Sequence, residues 1–247
     1  MFGNGMLHCL SEQNPGASNM NPALTDQLSS CTCCPRECSV NRLQGETGFC
    51  GIGALAEAAH AGLHFGEEPP FSGNRGSGTI FFSGCNLHCV FCQNFQISQQ
   101  AHLIATRRLS TTQLASEMLN LQHAGAHNIN LVSPTHVVLQ AAEAIIEAKH
   151  RGLTIPIVYN SNGYDSVGAL RQIRGLVDIY LPDIKYMDSG LGRRYSGVED
   201  YAEIIPLVLA EMLDQVGQLR TDSDGVAVGG WTVARVSHGR PVAAIQP

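Results

Sequence analysis

From residue 79 onwards, short apolar runs alternate with stretches in which apolar residues recur every three or four positions. The short runs predict β-strands at residues 79–82, 128–132, 155–159 and 178–181. The other stretches predict four helices. The first is capped by Ser110 or Thr111, the second by Thr135 and the third by Asp165, and the fourth runs from Tyr201 to Val216. Strands and helices that alternate in this way are typical of a parallel sheet, so we predict the α/β class and a parallel β/α barrel. In such a barrel the functional side chains follow the carboxyl ends of the strands.

The remaining sequence divides by composition. Residues 1–30 are rich in Asn, Gly, Ser and Pro without an apolar period, which predicts a mobile N-terminal segment. Residues 31–78 combine cysteines with many glycines and predict a loop-rich metal knuckle followed by a Gly-rich loop. Residues 79–225 carry the β/α pattern, and residues 226–247 form a divergent tail that does not predict a further strand.

The chain has 247 residues, of which 44% are hydrophobic and 15% are charged, as is typical of a globular protein. Its net charge is −6 and no run of Lys or Arg is present, which argues against nucleic acid as a partner. The apolar stretches are too short for a membrane span and the N-terminus lacks a leader pattern, so we expect no membrane partner and a cytoplasmic location. In that reducing compartment, nine cysteines favour metal binding over disulfides.

The most specific chemical signal is a loop that supplies three cysteines, Cys85, Cys89 and Cys92, directly after the first predicted strand. Thiolates are the soft ligands that iron–sulfur clusters prefer. Three ligands on a four-iron cluster leave one iron open for chemistry, whereas an electron carrier normally has a fourth cysteine. The alternative is zinc or unliganded cysteines, but zinc knuckles usually supply four ligands.

A second set of cysteines lies upstream, at Cys31, Cys34, Cys38 and Cys50. Four cysteines in a Gly- and Pro-rich segment have the count for a closed tetrahedral site. Zinc, a single iron ion and a second cluster would all fit, and we predict a separate metal with a structural role. Cys9 and Cys33 are interpreted as bystanders.

The cysteine loop, with an aromatic residue before its third cysteine, resembles the radical S-adenosylmethionine (SAM) superfamily. With Cys31-x2-Cys34-Pro35-Arg36-x-Cys38 upstream, roughly residues 31–225 resemble the uncharacterised group named pyruvate formate-lyase activating enzyme-like proteins. The resemblance implies a [4Fe–4S] cluster on Cys85, Cys89 and Cys92, with SAM chelating the open iron. It also implies reductive cleavage of SAM to methionine and a 5′-deoxyadenosyl radical, which takes a hydrogen atom from an unidentified protein or small molecule. The implied electron donor is a reductant of the flavodoxin or ferredoxin type, and the implied activity includes activation of a glycyl radical enzyme.

The resemblance also assigns residues to SAM at the cysteine loop and after the second strand. Phe91 matches an aromatic residue near the adenine, although a packed loop aromatic is an equal alternative. Thr135 and His136 stand where many relatives have a Gly-Gly-Glu run that meets the amino group of SAM, and this chain lacks that run. The alternative role of Thr135 is a helix N-cap.

Two further pairs follow the third and fourth strands. Asn160 and Ser161 begin the run Asn160-Ser161-Asn162-Gly163, which matches a position that uses polar oxygens near SAM or a cation. The alternative is an Asn-Gly turn. Asp183 and Lys185 resemble an Asp-x-Lys motif whose groups approach SAM or that cation. Residues at i and i+2 on an extended segment share one face, so both side chains are expected to point inward. The alternative is a surface ion pair.

The resemblance fades after Ala227, and the chain is expected to be truncated or altered at its C-terminus. The prediction is therefore a partial barrel with about four of the six strands that the family implies. Such a barrel would leave an exposed edge after the fourth strand and would be a poor catalyst. The alternative function is a non-catalytic iron–sulfur or zinc protein, or a decayed radical SAM homologue.

Overall fold

The computed structural model describes residues 22–233 and 235–236. Its helices are α1 (Pro22–Ser29), α2 (Pro69–Ser72), α3 (Phe95–Ser98), α4 (Thr111–His123), α5 (Val138–His150), α6 (Val167–Gln172), α7 (Ser189–Ser196) and α8 (Tyr201–Val216). Its strands are β1 (Ala56–His64), β2 (Ser77–Phe82), β3 (Arg107–Leu109), β4 (Ile129–Val132), β5 (Ile157–Ser161), β6 (Ile179–Ile184), β7 (Arg220–Thr221), β8 (Ala227–Trp231) and β9 (Arg235–Val236). Short 3-10 turns occur at Arg42–Gln44, Ala101–Leu103 and Thr135–Val137.

The described strands form one mixed sheet in the order β3-β1-β2-β4-β5-β6-β8-β7, and β9 pairs with β6. Strands β2, β4, β5, β6 and β8 run parallel, whereas β1 is antiparallel to both β2 and β3. The predicted α/β class and the parallel strands are therefore confirmed. Among the described strands, β3 and β7 at the two ends do not pair with each other, so the sheet is not closed into a barrel.

The register of the parallel strands brings their carboxyl ends to one edge of the sheet. Ile80 of β2 lies beside Leu131 of β4, Leu131 lies beside Tyr159 of β5, and Tyr159 lies beside Tyr180 of β6. These side chains are fully buried because helices cover the sheet. The loops that follow the four strands therefore start next to each other, and their polar residues meet at this edge.

Helices α4 and α8 follow the sequence prediction closely. Helix α4 starts after Ser110, whose hydroxyl and the Gln113 side chain form a reciprocal capping box. Helix α8 spans the predicted residues and buries an apolar face that includes Ile205, Val208 and Met212. Across the described part of the chain, no helix has both the length and the apolar character to cross a membrane.

Two predicted helix caps are wrong. Thr135 belongs to a 3-10 turn, and helix α5 begins only at Val138. The Thr135 hydroxyl instead donates to the Asp165 carboxylate, over 2.6 Å. Helix α6 is capped by Ser166, not by Asp165. The Asp165 carboxylate is only 1% exposed and accepts hydroxyl hydrogen bonds, because burial makes those partners necessary.

The N-terminal part of the described chain has more regular structure than the sequence predicted. Helix α1 lies inside the segment predicted to be mobile, and its Leu28 is fully buried. Residues 1–21 lie outside the described residues. Strand β1 lies inside the predicted loop-rich segment and pairs with β2 and β3. Its Ala, Gly and His residues have weak strand propensity, so pairing with β2 and β3 and the burial of Ala56 and Ala58 stabilise it.

The expectation that residues 226–247 form no further strand is wrong, because strand β8 lies in this segment. This strand pairs in parallel with β6, with Gly230 beside Ile179 and Trp231 beside Tyr180. The glycines lowered its apparent strand propensity, because glycine offers no side chain to pack. The edge of β6 is therefore covered within the described residues, and the expected exposed edge is wrong. The expectation of poor catalysis loses the structural reason on which it depended.

Candidate active site

A cavity of about 330 Å³ lies at the carboxyl edge of the parallel strands. Its wall includes Phe82, Val132, Ser161 and Ile184, which end β2, β4, β5 and β6. The cysteine loop that follows β2 lies across the cavity. This volume is within the range of sites for small molecules and cofactors.

The structure brings most of the sequence-predicted site residues to this one cavity. Those that line it are Cys85, Cys89, Phe91, Cys92, Asn160, Ser161, Asp183 and Lys185. Thr135 and His136 do not line it. The eight lining residues come from three separate segments, namely the cysteine loop and the carboxyl ends of β5 and β6, so the sheet register brings them together.

The three thiols each have a hydrogen-bond partner. The Cys85 sulfur accepts from the Leu87 amide at 3.3 Å and from Asn162 Nδ2 at 3.4 Å. The Cys89 sulfur accepts from Ser196 Oγ at 2.9 Å. Donors of this kind stabilise negative charge on a metal-bound thiolate and orient it.

Two further contacts complete the environment of the thiols. Cys92 Sγ lies 3.3 Å from Ser98 Oγ, and Ser196 Oγ lies 2.8 Å from the Tyr186 hydroxyl. Ser98 and Ser196 were not singled out from the sequence, and Asn162 was considered only as part of the polar run that begins at Asn160. Ser196 is 107 positions from Cys89, so only the folded chain places them together.

The thiols must lose protons to bind metal. Burial raises the pKa of the Cys85 thiol to about 12, and burial also raises the pKa of Cys89 despite the nearby Lys185 ammonium. Metal binding here therefore releases protons. In the described part of the chain, no three Cys, His, Asp or Glu residues are placed to hold a single metal ion. A cubane cluster does not require its ligands to meet at a single metal ion, because each thiolate binds a different iron. The cysteine loop, its hydrogen-bond donors and the cavity therefore fit such a cluster.

Asp183 and Lys185 form an ion pair on the cavity wall. Lys185 Nζ lies 2.6 Å from Asp183 Oδ2, and both side chains are mostly shielded from solvent. Burial by itself lowers the pKa of Lys185, but the Asp183 carboxylate outweighs it and raises this pKa, so Lys185 stays charged. The two residues point inward as the sequence pattern predicted, and the alternative of a surface ion pair is not observed.

The polar residues at the end of β5 and directly after it line the cavity and hydrogen-bond to the residues around it. Asn160 lines the cavity, and Ser161 Oγ donates to Asp165 Oδ2 over 2.6 Å. Asn162 Nδ2 bridges Cys85 Sγ and Asn86 Oδ1, the latter at 2.7 Å. This run therefore contacts the cysteine loop directly, in addition to making a turn.

Phe91 lies on the cavity wall and is also packed against other aromatic residues. Its ring lines the cavity and meets Tyr186 and Tyr195 edge-on, with centroid distances of 6.3 and 6.5 Å. Packing against these rings fixes its orientation. The aromatic face at the cavity wall is thus held in place by the core beneath it.

Thr135 and His136 lie outside the cavity wall and hydrogen-bond to residues around the site. The expectation that they contact SAM is therefore corrected. The imidazole of His136 is 2% exposed, and its Nε2 donates to the Ser83 carbonyl over 2.8 Å. Burial, followed by the Arg42 guanidinium, lowers the pKa of His136 to about 4. The imidazole is therefore neutral, and its hydrogen bond to the Ser83 carbonyl holds the backbone just before the cysteine loop.

We expect the neutral His136 to make stability fall in acid. Its pKa in the fold lies below the ordinary value of 6.5, so its contribution is full above pH 6.5 and is lost as pH falls towards 4. The shift corresponds to about 3 kcal/mol of unfolding free energy. Urea unfolding of the metal-free chain between pH 7.5 and 4 should show this loss, and His136→Gln should show a shallower pH dependence. Equal slopes for the two proteins would contradict it.

The upstream cysteines surround a second, smaller cavity beside the first. Its wall contains all four predicted ligands and also Cys33, which the sequence suggested was a bystander. Cys9 lies outside the described residues.

Comparison with known proteins agrees with this geometry. Residues 79–219, more than half of the chain, match the radical SAM superfamily. The chain belongs to the radical SAM superfamily, whose members are iron–sulfur enzymes that use SAM for radical chemistry. Membership implies a [4Fe–4S] cluster and SAM as cofactors.

An uncharacterised protein of Methanocaldococcus jannaschii is 35% identical to this chain over 183 residues. The match covers 72% of this chain and 52% of that protein. The chain thus spans about half the length of the relative it matches.

Proposed function

We propose that this protein is a radical SAM activating enzyme of the pyruvate formate-lyase activating enzyme-like group. The observation that carries the proposal is the meeting of three cysteines and the Asp183–Lys185 ion pair on one cavity. The motif resemblance supports the activase subgroup, in which the hydrogen donor is a glycine of a partner protein. The comparisons support the superfamily alone.

The residues around the cavity have complementary roles in this proposal. Cys85, Cys89 and Cys92 would hold the cluster. The Lys185 ammonium and the Asp183 carboxylate would offer opposite charges to the carboxylate and amino groups of SAM. Bound there, cluster and SAM supply one-electron cleavage of a sulfonium C–S bond and hydrogen-atom abstraction.

The surrounding side chains would protect and orient these groups. Phe91 offers an apolar face suited to adenine, and Asn160 and Ser161 offer polar atoms at the end of β5. The hydrogen bonds from Asn162 and Ser196 would hold the thiolates in place. A flavodoxin- or ferredoxin-type protein would supply the electron, in the cytoplasm where reduced thiols persist.

The test is anaerobic reconstitution with iron and sulfide, reduction with dithionite or flavodoxin, and chromatographic assay of 5′-deoxyadenosine. We expect the product to form from SAM only in the reduced, reconstituted protein. Cys92→Ala is the matched control and should give none. A protein that binds a full cluster and SAM but releases no 5′-deoxyadenosine would favour the non-catalytic alternative.

The activase step needs its own measurement. The reduced protein is mixed with SAM and a purified glycyl radical enzyme, and the glycyl radical is sought by electron paramagnetic resonance. We expect a glycyl signal with an appropriate partner. SAM cleavage accompanied by hydrogen transfer from a small molecule, with no radical on any glycyl enzyme tested, would reject the activase subgroup and keep the superfamily chemistry.

A further inference from the structure

The second cavity is enclosed by an unusual density of thiols. The cysteines that line it are Cys31, Cys33, Cys34, Cys38 and Cys50. Its volume is about 10 Å³, near the space that one water molecule needs. Thiols are the preferred ligands of zinc and iron. The donor set and the small enclosed space both suit a compact metal centre.

The local backbone is arranged around the sulfurs. The Glu37 amide donates to the Cys34 carbonyl over 3.1 Å, and the Ser39 amide donates to the Cys31 carbonyl over 3.0 Å. These turns bring Cys31, Cys34 and Cys38 to the wall of one small cavity.

Cys38 lies between two residues with unusual backbone angles. Glu37 and Ser39 have φ angles of 41° and 54°, in the left-handed region that non-glycine residues rarely adopt. Such conformations persist only where the surroundings hold them, and they concentrate at functional sites. The turn keeps the Cys38 side chain at the cavity.

Arg42 supplies an independent indication of negative charge in this cavity. Its side chain is 1% exposed, and its Nε and Nη1 donate to the carbonyls of Gly53 and His136, both over 2.8 Å. Nη1 also lies 3.9 Å from the sulfurs of Cys31 and Cys33, and Nη2 has no partner. No carboxylate among the described residues pairs with this buried cation. A buried guanidinium needs a compensating anion, and metal-bound thiolates would supply one.

We propose that Cys31, Cys34, Cys38 and Cys50 bind a thiolate-ligated metal centre of zinc or iron, next to the SAM cavity. Cys33 lies on the same cavity wall without acting as a ligand, and Arg42, whose Nη1 lies 3.9 Å from the Cys31 sulfur, balances the charge. The described side chains do not yet meet at one point, so binding draws the sulfurs inward. The small cavity at their centre is the space into which they move.

This centre would fix the backbone of the cysteine loop. Gly84, with φ of +76°, packs so tightly on the Cys50 carbonyl that a side chain would overlap it. Arg36 Nε donates to the Asn86 carbonyl over 3.0 Å. Arg42 holds the His136 carbonyl while His136 holds the Ser83 carbonyl. The upstream metal centre thereby positions both sides of Cys85.

The test uses the full chain with Cys85, Cys89 and Cys92 all changed to Ala, so that it does not depend on the proposed SAM chemistry. The protein is purified anaerobically after growth with zinc and iron, and bound metal is measured by plasma mass spectrometry. We expect about one zinc or iron centre per chain. Sulfide analysis separates a single iron ion from a cluster, and colourless protein with zinc identifies the zinc form. Protein without bound metal would overturn the proposal.

Two further variants in that background identify the ligands. Cys34→Ser with Cys38→Ser should remove the metal, whereas Cys33→Ser, on the same cavity wall, should keep it. Retention in the first variant, or loss only in the second, would overturn the ligand set. Metal in excess of about four irons in the unmodified chain is the companion measurement if the triple variant folds poorly.

The positioning role has a separate readout. In the chain that keeps Cys85, Cys89 and Cys92, the Cys34→Ser and Cys38→Ser changes should lower both thermal stability and the cluster content of the loop, relative to Cys33→Ser. Unchanged cluster content after loss of the upstream metal would reject the positioning role.

Discussion

Changing any one of Cys85, Cys89 and Cys92 to Ala is expected to abolish the visible absorption and the spin signal of the cluster at the cavity. Each thiolate binds a separate iron. A cubane cluster that keeps only two protein ligands has therefore lost one of the three bonds that attach it to the chain. Among the described residues, no other cysteine lines this cavity, so no other thiol can replace the one that is lost. Anaerobic reconstitution followed by absorption and electron paramagnetic resonance spectroscopy measures the loss.

Val90→Ala is the matched control for this experiment. Val90 lies within the same loop, but its side chain is 73% exposed and carries no ligand atom. We expect this variant to assemble the cluster normally. A signal that SAM still perturbs in the protein lacking all three cysteines would place the cluster elsewhere.

Asp183→Ala is expected to weaken SAM binding while leaving the iron content unchanged. The change removes a charged hydrogen-bonding group from the cavity wall and leaves Lys185 without its partner at 2.6 Å. Loss of such a group typically costs about 1.5–3 kcal/mol, which corresponds to roughly a tenfold to hundredfold weaker affinity. Equilibrium titration of the reconstituted protein with SAM, beside iron analysis, measures both quantities.

Glu199→Ala is a suitable control for the Asp183 change. Glu199 pairs with Arg193 at 2.7 Å, but both side chains are about two-thirds exposed and lie outside the cavity. Exposed ion pairs contribute little, so SAM affinity should not change. Equal affinities for the Asp183 and Glu199 variants would remove the ion pair from the proposed SAM site.

The sequence predicted the elements whose signals are local. The apolar runs predicted β2, β4, β5 and β6, because a strand buried in a parallel sheet is continuously hydrophobic. The apolar period predicted α8 in the same way. Strands β1 and β8 escaped prediction. Their Ala, Gly and His residues have little intrinsic preference, and both are strands because neighbouring strands pair with them.

In the candidate site too, the sequence predicted the features with local signals and missed those that depend on packing between segments. Spacing alone grouped Cys85, Cys89 and Cys92, since they lie in one loop. Asp165 was predicted to cap a helix because polar residues before a helical period usually do so. Its burial beneath Thr135, Tyr159 and Ser161 depends on how three separate segments pack, and local sequence does not specify this.

The sequence by itself determined which donor atoms are available: the three thiols of one loop, the four upstream thiols and the Asp-x-Lys pair. Only the tertiary structure decided their neighbours. It placed Asn162 and Ser196 on the sulfurs, moved Thr135 and His136 behind the cavity, and joined Cys33 and Arg42 to the upstream cysteines. The physical reason is that residue type and spacing act along the chain, whereas burial, charge compensation and hydrogen bonding act between segments that meet only when the sheet assembles.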